Sequence, residues 1–193
     1  MSYIGPAVRL VGSCLLLGVG VGLVLLARLG SDGYSTIVNG TVRATGLPFG
    51  LTNTAFGLVM VALAAARGVR PGVGTLVQPV VVGLSVQAVL DRVPAPAGLP
   101  LRVTLLVIGV ILLAVGVAGY LSTGLGAGPL EAAAFALRPL PFRVAYSLLQ
   151  AAGALIGWLL GADVGPGTLI VVLGVGPLVQ LLRPRADIHP STA

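Results

Sequence analysis

Lysine is absent from this 193-residue chain, and five acidic residues stand against eleven arginines. Charged residues make up only 8% of the sequence, whereas soluble domains carry about 25%. Hydrophobic residues make up 56%, and the mean hydropathy is +1.08. This composition excludes an ordinary soluble domain and predicts an all-α membrane protein whose principal partner is the lipid bilayer.

Cysteine and histidine occur once each, as Cys14 and His189. A single cysteine excludes an intramolecular disulfide and a cysteine-based metal site. A single histidine argues against a histidine metal cluster or a Ser-His-Asp triad, and the sequence has no Walker loop or CxxC motif. We therefore expect no enzymatic activity, no metal and no cofactor.

Long apolar runs divide the chain into six predicted spans, each close to the ~20 residues that cross a bilayer. A proline-rich linker at 91–101 separates two halves, repeat A at about 8–90 and repeat B at about 102–183, within one membrane domain that covers 1–193. The predicted spans are 8–28, 50–67, 73–90, 102–122, 143–161 and 166–182.

The two halves share short motifs in the same order. Leu47-Pro48-Phe49 recurs as Leu140-Pro141-Phe142, and Gly72-Val73-Gly74-Thr75-Leu76 recurs as Gly165-Pro166-Gly167-Thr168-Leu169, both 93 residues later. Ordered matches at one separation predict a duplication. Because each half has three spans, the second half must enter the membrane from the opposite side, which predicts the inverted repeat common in secondary transporters.

The arginines stand singly at the ends of apolar runs, where they act as topology signals and headgroup anchors and do not suggest a nucleic-acid partner. An N-terminus in the cytoplasm places seven arginines inside and four outside, so we expect both termini in the cytoplasm. The inner set is Arg9, Arg67, Arg70, Arg138, Arg143, Arg183 and Arg185; the outer set is Arg28, Arg43, Arg92 and Arg102.

A glycine-rich break follows the first span of each half, at Leu29–Ser35 and at Leu125–Glu131. Each break precedes a helix too short to span the bilayer, predicted at 32–45 and 129–138. Two interpretations remain open. The short helices are either re-entrant, with their N-termini directed at a shared site, or interfacial amphipathic helices with ordinary caps.

Glu131 is the foremost candidate for a binding or coupling residue because its neighbours in sequence are apolar. A carboxyl buried there would have a raised pKa and could bind a proton or cation. Asp32 is a second candidate, although helix capping also explains it. Ser35 occupies the position equivalent to Glu131 in the first half.

Three further polar residues within the predicted spans are candidates for lining a cavity: Asn53, Tyr146 and Gln150. Tyr146 and Gln150 are four residues apart, on one face of their helix. Hydrogen bonding between helices would explain all three equally well.

Several of these glycine motifs resemble the YczE/YyaS/YitT group of bacterial membrane proteins. The matching strings are Gly124–Glu131, Gly157–Gly161, Gly165–Thr168, Gly174–Gln180 and, in the first half, Arg70–Thr75. The resemblance covers nearly the whole chain and implies a multi-pass protein of the bacterial cytoplasmic membrane.

Two departures from the group bear on function. The group tends to have an aspartate after the Gly-Pro pair, where this chain has Glu131 and so keeps an acid. It also tends to have an arginine and a glutamate in the fifth span, which align with the neutral Tyr146 and Gln150.

The sequence leaves three hypotheses for function. The first is a small-molecule transporter of unknown substrate, with its site between inverted repeats. The second is a non-transporting factor that scaffolds or assists a partner membrane protein, enzyme or export system. The third is the substrate-binding membrane subunit of a multi-component importer, and any of the three is compatible with a homo-oligomer.

Overall fold

A computed structural model describes residues 4–182 and contains eight α-helices and no strands within that range. Three residues of the sequence analysis, Arg183, Arg185 and His189, lie outside the described residues. The helices are α1 (Ile4–Ala27), α2 (Gly33–Thr45), α3 (Phe49–Ala66), α4 (Val73–Arg92), α5 (Leu99–Leu121), α6 (Pro129–Ala136), α7 (Phe142–Leu159) and α8 (Pro166–Leu182).

Five of these helices (α1, α3, α4, α5 and α7) are long and apolar enough to cross a membrane. Helix α8 is equally apolar but has only 17 residues, or about 25 Å of helix. Large apolar side chains point away from the bundle, as at Leu159 and Leu181, which are 70% and 82% exposed. An all-helical, multi-pass membrane protein is thus the architecture that these helices support.

Helices α1 and α5 form the centre of the bundle and run antiparallel. Arg9, near the start of α1, donates to the hydroxyl of Ser122 at the end of α5, 2.9 Å away. Arg102, near the start of α5, donates to the carbonyl oxygens of Ala27 and Arg28 at the end of α1, both at 2.7 Å. Each helix therefore has an arginine that binds the far end of the other.

The two glycine breaks each contact a helix of the opposite half. The carbonyl oxygen of Leu29 accepts a hydrogen bond of 2.8 Å from the N–H of Gly167, in the first turn of α8. The carbonyl oxygen of Leu125 accepts one of 2.9 Å from the N–H of Gly74, in the first turn of α4. The breaks thus fix the start of α8 and the start of α4.

The two short helices also pack across the halves, with α2 along α7 and α6 along α3. Gly33, the first residue of α2, lies directly against the backbone of Gln150, and Gly40 lies against Gly157. Gln150 is eight residues from the start of α7 and nine from its end, or about 12–14 Å from either. Helix α2 therefore begins halfway along a membrane-length helix.

Candidate functional site

Glu131 lies in the first turn of α6 and is partly buried. The hydroxyl of Tyr120, at the end of α5, donates a hydrogen bond of 3.1 Å to its Oε1. Tyr120 itself is only 2% exposed. Among the described residues, no arginine forms an ion pair with Glu131.

The other carboxylate oxygen of Glu131, Oε2, lies against Gly128 together with the amide of Gln78 on α4. A methyl group added to Gly128 would contact Glu131 Oε2 and would lie 2.7 Å from Gln78 Oε1. This amide oxygen is buried and has no hydrogen-bond partner. Gln78 Nε2 is farther away, at 3.2 Å, so glycine at 128 leaves room for the Glu131 carboxylate and for the oxygen end of the Gln78 amide.

Burial raises the pKa of the Glu131 carboxyl above its usual value, because the charged form loses contact with water. Hydrogen bonds from its own backbone N–H and from Tyr120 favour the ionised form and offset part of the rise, whereas the negative charge of Asp32 adds to it. The net direction is upward, as the sequence predicts for an acid in these surroundings.

Asp32 caps the N-terminus of α2. Its Oδ1 accepts a hydrogen bond of 3.0 Å from the backbone N–H of Ser35, and its carbonyl oxygen accepts from the hydroxyl and the N–H of Thr36. Ser35 is buried, at 4% exposed. Capping is thus the evident role of Asp32, although its charge also acts on Glu131 across the two halves.

Gln150 joins the start of α2 to α7. Its Oε1 accepts a hydrogen bond of 3.2 Å from the backbone N–H of Tyr34, and its Nε2 donates one of 3.3 Å to the hydroxyl of Tyr146. Two candidates from the sequence, Tyr146 and Gln150, thus lie at the N-terminus of α2, where unpaired N–H groups would otherwise remain.

Asn53 has mainly a packing role. Its side-chain amide nitrogen donates a hydrogen bond of 2.7 Å to the carbonyl oxygen of Pro79 on α4. Its backbone carbonyl oxygen accepts one of 3.1 Å from the hydroxyl of Tyr34. The side chain is 3% exposed. These contacts are the hydrogen bonds between helices that explain a buried amide without a binding role.

The charges of Asp32 and Glu131 both act on Tyr146 and on Tyr34, and Tyr120 bonds Glu131 directly. Tyr34 and Tyr120 are not among the candidates that the sequence indicates. A tyrosine near the end of an apolar run usually indicates the membrane interface, so nothing in the sequence marked Tyr120 as a partner of Glu131. The sequence does offer a signal for Tyr34. It lies two residues after the capping Asp32 and so in the first turn of the short helix, beside the predicted site.

An open hollow of about 220 Å³ lies at the far end of α6. It contains none of the candidate residues, but its walls include Phe135 and Phe142, whose rings stack at 4.6 Å. Phe142 in turn stacks on Tyr146 at 5.7 Å. A row of three aromatic rings therefore extends from the hollow to Tyr146, whose hydroxyl accepts the hydrogen bond from Gln150.

Comparison with known sequences provides a family but no described activity. Residues 4–184 match the profile of DUF6198, a family of unknown function. An uncharacterized protein of Haemophilus influenzae is 30% identical over 168 residues, which cover 86% of this chain and 77% of that protein. No solved structure matches the chain.

Proposed function

The chain belongs to the DUF6198 family of unknown function, and from that premise we propose that it is a transporter of a small molecule, with its site between α2, α6 and α7. The observation that carries the proposal is the position of Glu131, an acid that has no cationic partner within residues 4–182 and lies among buried polar groups of both halves. Ionisable groups in such positions of membrane proteins commonly belong to substrate or ion pathways.

We propose that the two halves are inverted repeats, and four paired contacts support this arrangement. The first pair is the two arginine contacts between α1 and α5, and the second is the hydrogen bonds from the starts of α4 and α8 to the two glycine breaks. The third pair is the packing of α2 on α7 and of α6 on α3. The fourth is the packing of α1 on α4 and of α5 on α8. In each pair, the residues and helix starts of the first half correspond to those found 93 to 96 residues later in the second half. Helices α3 and α4 pack together, and their counterparts α7 and α8 are less closely associated.

On this architecture α2 and α6 are re-entrant helices. The start of α2 beside Gln150 supports a position near the middle of the membrane, because α7 extends about 12 Å in both directions from that residue. Non-helical backbone at that depth is tolerated where protein surrounds it or where it lines a cavity. The hydrogen bond from Tyr34 to Gln150 satisfies one exposed N–H of this break.

The hollow beside Phe135 and Phe142 is our proposed access route. It contains one charged residue, Arg138, and the aromatic row leads from it toward Tyr146. Arg138 belongs to the arginines that the sequence analysis places on the cytoplasmic side. With the YczE/YyaS/YitT resemblance, this supports a protein of the bacterial cytoplasmic membrane that opens inward in the conformation described.

A ligand screen followed by transport assays tests the proposal. Purified protein would first be screened for metabolites that raise its thermal stability, and the hit would then be followed into proteoliposomes with a pH gradient. We expect Glu131→Gln to abolish pH-dependent uptake. Asp91→Asn is the matched control, because Asp91 is an exposed acid at the end of α4 that accepts a hydrogen bond from the amide of Gln87.

Other outcomes would favour the alternative functions. Uptake by Glu131→Gln at the wild-type rate would exclude Glu131 as the coupling residue. If no compound stabilises the protein and a partner enzyme or export component co-purifies with it, the scaffolding hypothesis replaces transport. Co-purification with an ATPase subunit would favour the importer subunit.

A further inference from the structure

The side-chain amide of Gln78 borders the same small space as the carboxylate of Glu131, and its oxygen lies nearer to that space than its nitrogen. Glu131 Oε2 and Gln78 Oε1 both border the same small space beside Gly128, and the amide oxygen is buried without a partner. An ionised carboxylate and an amide oxygen are both acceptors only. Two such oxygens side by side repel each other unless a positive charge lies between them.

We infer that Glu131 and Gln78 together bind one monovalent positive charge, a proton or a sodium ion, between Oε2 of the carboxylate and Oε1 of the amide. This inference rests on the proposed function, for which it supplies the coupling ion. As a proton site, the protonated carboxyl of Glu131 donates its O–H to Gln78. As a sodium site, both oxygens are ligands of the kind that hard cations prefer.

Tyr120 makes the site reversible. Its hydroxyl donates to the opposite carboxylate oxygen, Oε1, at 3.1 Å, and so stabilises the ionised form that remains when the positive charge leaves. Gln78 stabilises the occupied form and Tyr120 the empty form. The two neighbours therefore act on the affinity of Glu131 in opposite directions.

The remaining ionisable groups around Glu131 are few, and among the described residues none is a cation. From α2 come Asp32 and Tyr34, from α7 comes Tyr146, and Cys14 of α1 lies behind Tyr120. Helix α3 contains no ionisable residue. On α4 the ionisable pair Asp91 and Arg92 lies thirteen or more residues beyond Gln78, or about 20 Å along the helix.

The test is a pH titration of Glu131 by infrared spectroscopy on the full-length protein, without any assay of transport. The carbonyl stretching band of a protonated carboxyl is followed from acidic to alkaline pH and assigned by its loss in Glu131→Gln. We expect Gln78→Leu to lower the proton affinity roughly threefold to tenfold, because it removes the acceptor of the carboxyl O–H. Tyr120→Phe should raise that affinity about tenfold, since it removes a donor to the carboxylate.

The sign of the Gln78→Leu effect distinguishes the two possible orientations of the amide. If Nε2 faced the carboxylate, the glutamine would favour the ionised form and Gln78→Leu would raise the proton affinity, which would overturn the inference. Loss of polarity at position 78 also acts in that upward direction. A decrease is therefore specific to the acceptor arrangement.

Sodium chloride and choline chloride at equal ionic strength separate the two ions. Greater thermal stability in sodium for the wild type and for Asp91→Asn, but not for Glu131→Gln, identifies sodium. A titrating carboxyl band without a sodium effect identifies the proton. An ionised Glu131 at every pH with no sodium effect would refute the site. A titrating Glu131 in a protein that fails to transport would instead refute the proposed function alone.

Discussion

The backbone N–H of Tyr34 donates a hydrogen bond to Oε1 of Gln150, 3.2 Å away. This contact fixes the first turn of α2 at the midpoint of α7. The rest of α2 then follows α7 through the close approach of Gly40 to Gly157. The amide of Gln150 and these backbone contacts together hold the end of the first glycine break at the middle of α7.

Replacing Gln150 tests this role. Gln150→Leu leaves the N–H of Tyr34 without its acceptor, and we expect it to lower the free energy of unfolding by about 1–3 kcal/mol. Gln150→Glu keeps an acceptor and adds a negative charge at a helix N-terminus, so it should retain most of that stability. Thermal unfolding in detergent compares the two variants, and equal stability of Gln150→Leu and wild type would contradict the assignment.

Alanine at either glycine break should be strongly destabilising. Gly30 and Gly126 have φ values of 105° and 138°. A methyl group at Gly30 would strike the hydroxyl of Thr168 in the first turn of α8, and one at Gly126 would strike that of Thr75 in the first turn of α4. Backbone strain and the clash together should lower the free energy of unfolding by about 2–4 kcal/mol. Because the two breaks make equivalent contacts, Gly30→Ala and Gly126→Ala should cost similar amounts in thermal unfolding.

Gly124 provides the matched control for these variants. Its φ is also positive, at 65°, but no atom lies within 4 Å of an added methyl group. Gly124→Ala should therefore show the backbone cost alone, about 1 kcal/mol. If Gly30→Ala were no worse than Gly124→Ala, the contact between the first break and the start of α8 would not contribute to stability.

The sequence predicted the helical class, the short helix after each break and the six apolar helices, of which five are long enough to be candidate spans. Hydrophobic run length and glycine position determine these features locally. The prediction from the sequence that Glu131 would be buried agrees with the raised pKa of this acid, although polar groups from other helices also surround it. The sequence could not predict that Tyr120 and Gln78 contact this acid, since both come from other helices and the contacts depend on packing. Asn53 illustrates the same limit, because a buried amide between helices looks identical in sequence whether it bonds a carbonyl or a ligand.

The two arginine contacts between α1 and α5 should differ in strength. Arg102 donates two hydrogen bonds of 2.7 Å to carbonyl oxygens at a helix C-terminus, whereas Arg9 donates one to an exposed hydroxyl. We expect Arg102→Ala to lower the free energy of unfolding by about 1–2 kcal/mol, and Arg9→Ala to lower it by less than about 1 kcal/mol. Thermal unfolding of both variants, with Arg102→Lys as the charge-preserving control, measures the difference.

Stability should fall as the pH rises, because burial raises the pKa of Glu131 in the folded protein. The folded state then binds more protons than the unfolded state between the unfolded pKa and the folded pKa. The contribution of Glu131 is fully present below the unfolded value and is lost as the pH rises through the folded value. Glu131→Gln should flatten this part of the profile of unfolding temperature against pH, and an unchanged slope would assign the dependence to other groups.

Cysteine labelling tests whether Asp32 and Glu131 border one water-accessible space. In a Cys14→Ala background, cysteines introduced at 32 and 131 should react with a small water-soluble thiol reagent, because a transport site between the two short helices must open to water. Ala145→Cys on α7 is the control, since that position is 0% exposed and should remain unlabelled.

The pattern of protection then decides between a shared cavity and two separate helix caps. In one cavity, a bulky reagent attached at 131 should slow labelling at 32, because it would occupy the space through which the reagent reaches both positions. Independent labelling rates would place the two positions in separate water-filled spaces. Complete inaccessibility of both, in membranes of either orientation, would exclude a shared aqueous site and leave α2 and α6 as purely structural elements.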